Sequence, residues 1–298
     1  MKSKFVQQSS LYLMMAPSVL LLVIFSYVPM AGIVIAFENY KPAFGFLRSD
    51  WVGMQNFVRL FTDPNFIRTI WNSFYISVLK LVAGMFVPVV FALLLNEVRC
   101  AFFKRTVQTI VYLPHFISWV LLAGILINIL SPTDGIVNQF LGLFGIKPIF
   151  FLASNRWFVP SLVMTDIWKE FGFGTILFLA AITVIDPQLY EAAIADGAGR
   201  WKQTLHITIP GITSTFILVT TLSLGSVMNA GFDQIFNLMT PPVMDTSDII
   251  GTYVYRIGIK GGNFSSATAA GLFQSVVSFV LIATSYRLAR RFSGYRIF

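Results

Sequence analysis

Asp166, Lys169 and Glu170 stand at i, i+3 and i+4 within an apolar run, so on a helix they share one face. Ionisable groups in a segment of hydrocarbon length are costly, and they mark either an internal ion pair or a polar route. Internal pairing alone accounts for the three as well as a gate or pathway lining does. Trp168 beside them offers a flat ring. Further polar side chains sit in or at the ends of other apolar runs: Asn72, Tyr75, Asn128, Asn229 and Asp233. Together they supply amides, carboxylates, an ammonium and aromatic faces, the chemistry of holding a hydroxylated solute in a mostly apolar cavity. Gly172 and Gly174 follow directly and are expected to break or kink this helix. His115 reads as a structural residue, and Lys80 as a group that snorkels or pairs.

Bond-breaking chemistry has no support. The chain holds no H-E-x-x-H, no G-x-S-x-G and no G-x-x-x-x-G-K-[ST] phosphate loop, so no catalytic residue is assigned. The glycines of 258–262 have the wrong spacing for a phosphate cradle. With one cysteine, Cys100, and two histidines, His115 and His206, neither an internal disulfide nor a protein-built metal site is expected.

These residues need long apolar elements to position them. Charged residues are 11% of the chain and hydrophobic ones 56%, against about 25% charged in a soluble domain. Six apolar runs can be drawn, at 12–37, 69–96, 107–131, 159–185, 211–231 and 265–288. Each exceeds the ~20 helical residues that cross ~30 Å of hydrocarbon. Helix is the default, since a span must satisfy its own backbone hydrogen bonds. The expected fold is therefore an all-α integral membrane protein, with residues 1–298 forming one transmembrane domain. The first run is too long for a signal peptide's apolar region and reads as an uncleaved span, with Pro17 and Pro29 starting or kinking it.

Basic residues set the orientation. Lys2, Lys4, Arg99, Lys104, Arg105, Arg200, Lys202, Arg287, Arg290, Arg291 and Arg296 crowd the shorter segments, which places both termini on the cytoplasmic side. This topology also accounts for the net charge of +8 without nucleic acid. In the first outer loop, Trp51, Phe57, Leu60 and Phe61, with Arg59 and Asp63, suit a short amphipathic helix on the membrane surface or a loop packed over the spans.

The polar stretch between the fourth and fifth runs, residues 186–210, carries the densest local signals. Asp186 suits an N-cap and Pro187 a first helical position. Gln188 to Ala195 favour helix, and Gly197 or Gly199 can end it left-handed. A second short turn can follow from Arg200 to His206, and Pro210 suits the first turn of the fifth span. A helix of about ten residues is marginal alone in water and needs a partner surface. Ala192 and Ala193 allow close approach, and Leu189, Tyr190 and Ile194 offer apolar contact.

Glu191-Ala192-Ala193, Gly197, Ile207 and Pro210 have the EAA-x3-G-x9-I-x-(hydrophobic)-P spacing of the cytoplasmic loop in permease subunits of binding-protein-dependent ABC importers. Asp196-Gly197-Ala198, residues 112–118, Ile167-Trp168-Lys169, residues 232–236, and Trp51-Val52-Gly53 with Asn56-Phe57 resemble the carbohydrate type. The likeness is to its LplB-like, MalF-related branch, and covers nearly the whole chain. Ile209 stands where many relatives have Leu, and the large periplasmic insertion of MalF itself is missing.

The resemblance implies a type I importer permease fold in a bacterial cytoplasmic (inner) membrane. It implies a second permease subunit, usually a different chain, and an extracytoplasmic solute-binding protein that delivers a sugar or oligosaccharide. Two ATP-binding subunits would hold ATP and Mg, with no cofactor on this chain. Glu191, Ala192, Ala193, Asp196, Gly197, Ile207 and Pro210 would then be the coupling residues, Glu191 pairing with a basic residue of the ATPase. A permease for a non-sugar solute is the nearest alternative; an ion-coupled secondary transporter would leave the EAA loop unexplained.

Overall fold

A computed structural model describes residues 9–225 and 227–293. Lys2, Lys4 and Arg296 lie outside the described residues. Helices dominate. In chain order they are α1 (Ser9–Leu22), α2 (Gln55–Thr62), α3 (Pro64–Glu97), α4 (Ala101–Tyr112), α5 (Trp119–Ile129), α6 (Ile136–Gly142), α7 (Asn155–Thr183), α8 (Pro187–Ala195), α9 (Arg200–Leu224), α10 (Phe232–Leu238) and α11 (Phe264–Ser293). Short 3-10, π and helical turns join them. Two-residue strands, β1 (Glu38–Asn39) and β2 (Asp50–Trp51), pair antiparallel with Glu38 opposite Trp51.

Four single helices are long and apolar enough to cross a membrane: Leu11–Phe37, α3, α9 and Phe264–Arg287. Two bent pairs raise the number to as many as six. The run expected at 107–131 is one of these pairs. A 3-10 turn, Leu113–Phe116, closes α4, and α5 leaves at 106°. Ser118 starts α5, its hydroxyl accepting from the Leu121 N–H. In the other pair, α7 is 29 residues long, and α8 departs from it at 69°.

The chain divides into two compact units. One is Met1–Asp63 with Val254–Phe273. Here the Asn56 amide donates to the carbonyls of Ala36 and Glu38, at 2.9 Å each, and Trp51 stacks on Phe37. These contacts clamp α2 and the strand pair to the end of the first span. Leu60 of α2 is buried, while Met54, Val58 and Phe61 form an exposed apolar stripe beside polar Gln55, Arg59 and Thr62. The amphipathic helix is present, with Leu60 on its inner side.

The other unit is Pro64–Tyr253 with Gln274–Phe298. Its framework is α3 packed along α7. One apolar cluster joins Ile76, Leu122, Phe158, Leu162, Ile235 and Ile249; a second joins Ala92, Phe178, Ile182 and Ile212. Burial of such side chains against neighbouring helices gives packing contacts that lipid tails do not match in shape.

One expectation about a helix interior needs correction. α7 runs unbroken through Gly172 and Gly174. A Cβ on Gly172 would lie 2.2 Å from the Val111 carbonyl oxygen, so this glycine lets α7 meet the α4 backbone. Gly174 gives room to the Pro88 ring. Pro210 lies in the first turn of the α-helix Ile209–Leu224, as its residue type predicts. The continuous span α9 nevertheless reaches back to Arg200, and it ends at Leu224, short of the expected 231. A π-turn, Thr204–Thr208, precedes Pro210, and another, Val23–Tyr27, precedes Pro29. The wider turn accommodates a residue that cannot donate to the preceding turn.

Candidate functional site

The second unit contains a cavity of about 420 Å³ between α3, α7, α9 and the 3-10 turn Val227–Asn229. Ser77, Lys80 and Gly84 line it from α3, and Asp166 and Glu170 from α7. Val219 and Ser223 line it from α9, and Ala230 and Gly231 close it. Its size lies in the roughly 300–1,000 Å³ range of small-molecule sites.

Lys80 is the centre of its wall. Its ammonium lies 3.1 Å from Asp166 Oδ1 and donates to the Ala230 carbonyl at 3.0 Å and to Gln234 Oε1. Gln234 is fully buried and donates in turn to Leu162 O and Thr165 Oγ1, at 2.8 and 2.9 Å. A desolvated amide has found partners on every side, as burial requires. Asp166 therefore pairs across to α3 rather than along its own helix.

Lys169 and Glu170 belong to a different cluster. The Lys169 ammonium donates to Glu170 Oε1 at 2.8 Å and to the His115 carbonyl at 2.9 Å. It also stands 5.5 Å from the Trp119 ring centroid. His115 Nδ1 is 2.7 Å from Glu170 Oε2, and its ring stacks on Phe173 at 4.0 Å. These contacts brace the bend between α4 and α5 against α7. Lys169 is buried in this brace, and Glu170 reaches both the brace and the cavity.

Two features leave acceptors or donors at the wall. Ser77 Oγ is buried with no hydrogen-bond partner among the described residues. Pro88 lies inside α3 and has no N–H to give the Gly84 carbonyl.

Of the other pathway candidates, Asn72 is nearly buried and donates to Asp245 O and Asp248 O at 3.0 Å each, tying α3 to the segment before Ile250. Tyr75 and Trp168 are exposed and line neither this cavity nor the one below. Asn128 caps back onto Gly124 O within α5. Asn229 and Asp233 line a second cavity, also about 420 Å³. Sequence reading passed over Ser77, Gly84 and Ser223; only the buried Ser and the in-helix Pro88 carried any signal for them.

The 186–210 segment folds as its capping residues dictate. Asp186 Oδ1 accepts from the Gln188 N–H at 2.9 Å, and Pro187 opens α8. Gly197 has φ +76°, with Ala198 N–H bonded to Ala193 O and Gly197 N–H to Ile194 O. This is a Schellman stop. α8 has no buried residue. Leu189, Ile194 and Trp201 are exposed, and Glu191 has no ion-pair partner among the described residues. Ala192 and Asp196 are exposed with it, Ala193 and Ile207 are half-buried, and Pro210 is exposed. Tyr190 Oη meets Thr208 Oγ1 at 2.9 Å, Gln203 Nε2 donates to Ala198 O, and Arg200 pairs with Glu97 at 2.6 Å. Among the described residues no group of three His, Cys, Asp or Glu could hold a metal ion.

A polar cavity inside a helical membrane bundle, with an exposed capped helix on a polar loop, fits a transport subunit. Residues 81–294 match the family described as binding-protein-dependent transport system inner membrane component, and the chain belongs to that family. It is a permease subunit of an ABC importer, not an enzyme. It is 43% identical over 295 residues to the polygalacturonan/rhamnogalacturonan transport system permease protein YteP of Bacillus subtilis (strain 168), covering 99% of this chain and 92% of the relative. Protein LplB of the same organism is 43% identical over 288 residues, covering 97% and 91%. A chain of a bacterial ABC transporter involved in the import of the acidic polysaccharide alginate superposes with a TM-score of 0.91 at 40% identity, covering 97% of this chain and 98% of that one.

Proposed function

We propose that this permease passes a sugar or oligosaccharide through the cavity between α3, α7 and α9, and takes its drive from a separate ATPase through α8. The observation that supports this reading most strongly is α8 itself. It is a capped helix with exposed Leu189, Ile194 and Glu191, and none of its residues is buried against its own chain. A helix this short needs a partner surface to be held in shape. Relatives whose names specify polygalacturonan, rhamnogalacturonan and alginate support the carbohydrate assignment.

In this reading the chain is one permease domain with six spans: Leu11–Phe37, α3, the bent pair α4–α5, α7, α9 and α11. Both termini face the cytoplasm. A second, different permease completes the pathway, two ATP-binding subunits hold ATP and Mg, and a solute-binding protein loads the outer side. Another solved structure, of a bacterial alginate ABC transporter in complex with an alginate pentasaccharide-bound periplasmic protein, supports the last partner. Glu191 pairs with a basic ATPase side chain, and the turn at Gly197 fits α8 into the ATPase cleft.

Co-expression with the neighbouring genes and mild-detergent purification is the test. Recovery of an ATPase and a second permease, with ATP hydrolysis stimulated by a sugar-loaded binding protein, is the expected result. Glu191→Arg is expected to cut stimulated hydrolysis and uptake by at least about tenfold, the effect of losing one charged contact and adding a like-charge clash. Wild-type rates in that variant would remove Glu191 from the coupling role.

A further inference from the structure

The second cavity carries an inference of its own. It lies beside the strained turn Ala230-Gly231, whose residues both have positive φ, +53° and +80°. Ala230 is the only described residue other than glycine in that region of backbone space. A left-handed alanine costs on the order of 1 kcal/mol and persists where surrounding contacts fix it. Here the Lys80 ammonium holds the Ala230 carbonyl, and the Gln274 amide holds the next carbonyl but one, Met228 O, at 3.0 Å. The turn aims the chain into α10 and sets Phe232 and Asp233 at the cavity edge. Gly251 leaves room for the Phe232 ring, whose Cδ2 would be 3.1 Å from a Cβ there.

The lining combines two aromatic rings, Trp119 and Phe232, with the side chains of Asn229, Asp233 and Gln274. Trp119 is half-buried and held beside the Lys169 ammonium. Asn229 and Asp233 are exposed, and neither side chain has a hydrogen-bond or ion-pair partner among the described residues. Ring faces suit the apolar C–H face of a pyranose, and free amide and carboxylate groups suit its hydroxyls. No cation lines this cavity, whereas it holds one carboxylate. A uronic acid unit would meet Asp233 with like charge. Gly231 lines both cavities, so they adjoin at this turn.

We propose that the cavity at Trp119, Asn229, Phe232, Asp233 and Gln274 is a second sugar subsite, which takes a neutral pyranose unit of an oligosaccharide whose next units occupy the Lys80 cavity. The proposal rests on the sugar-permease reading above and extends it to chain length and charge. The permease thereby prefers oligosaccharides to monosaccharides, and prefers a neutral sugar at one end.

The test uses the whole complex in proteoliposomes, with its binding protein in the vesicle medium. Uptake is measured for a panel of neutral and uronic sugars of one to four units. Trp119→Ala and Asn229→Ala are expected to lower uptake of the longer neutral oligosaccharides about tenfold, the value of one or two lost contacts, with the shortest imported sugar unaffected. Trp119→Phe is expected to restore most of the loss. Asp233→Asn is expected to raise uptake of uronic oligosaccharides relative to neutral ones. Equal losses for short and long sugars in every variant, or no loss in any, would overturn the subsite while leaving sugar import intact. A wild-type complex that imports no sugar of the panel, yet hydrolyses ATP on loading with another solute, would overturn the sugar reading and the subsite with it. Variants that fail to assemble are replaced by Asn229→Ser and Gln274→Asn, judged by the same ratio of long to short uptake.

Discussion

Lys80 shows how a single cation can organise a membrane cavity. It sits between Asp166, Gln234 and the Ala230 carbonyl, and it holds α3 to α7 and to the strained turn at once. A Lys80→Met variant leaves the Asp166 charge unpaired in a wall that is largely desolvated. Removing one member of such a pair costs roughly 3 kcal/mol. The expected outcome is loss of folded complex in size-exclusion chromatography, with partial recovery in Lys80→Met, Asp166→Leu. Equal yields for the single and double variants would show that the pair is worth little. Gly172 makes a sharper residue-scale case. Gly172→Ala forces a methyl to 2.2 Å from a backbone oxygen. It is expected to destabilise the complex by about 1–3 kcal/mol. Gly174→Ala, at 3.2 Å from the Pro88 ring, is expected to be milder in the same thermal unfolding assay. The sequence displayed both glycines and both charges but not their partners. A glycine pair in a helix reads equally as a kink or as a close approach, and the Val111 backbone that decides between them is remote in the chain. Asp166 was legible as a charge needing a partner; that the partner stands on α3 is a tertiary fact.

At the scale of elements, α8 was the most legible part of the chain, because its determinants are local. An Asp N-cap, a Pro at the first position and a left-handed Gly at the stop act within four residues of the backbone groups they satisfy. The structure has all three. The bend of α4 against α5 was not read from the sequence, since 107–131 is long enough for one span and its turn is fixed by His115 against Lys169 and Glu170 of α7, which are remote in the chain. Nor was the reach of α9 back to Arg200, because a π-turn joins the helix that Pro210 opens to the short turn before it. Gly197→Ala isolates the stop signal. Nothing lies within 4 Å of the added methyl, so only the positive φ is penalised, by about 1 kcal/mol. Transport per ATP hydrolysed is expected to fall several-fold while binding of the ATPase weakens only slightly. An unchanged ratio would mean that the shape of this turn is immaterial to coupling.

For the whole molecule, the lone cysteine offers a direct readout of orientation. Cys100 is exposed between α3 and α4, on the side that the basic residues assign to the cytoplasm. A membrane-impermeant maleimide is expected to label it in inside-out vesicles and to leave it unlabelled in intact cells. Labelling from the outside would invert the topology and move α8 away from any cytoplasmic ATPase.

The ties around α8 have a mechanical consequence. Tyr190 grips α9 at Thr208, and Arg200 at the head of α9 grips Glu97 at the foot of α3. α8, α9 and α3 thus form a three-bar linkage whose outer bar, α8, has no buried residue. α3 and α9 are also two walls of the Lys80 cavity. A displacement applied to α8 would act on both walls near their ends, with much of each span as the lever arm. In the proposed reading the chain is geared: movement applied at a peripheral crank is expected to leave as a change in width some helical turns away.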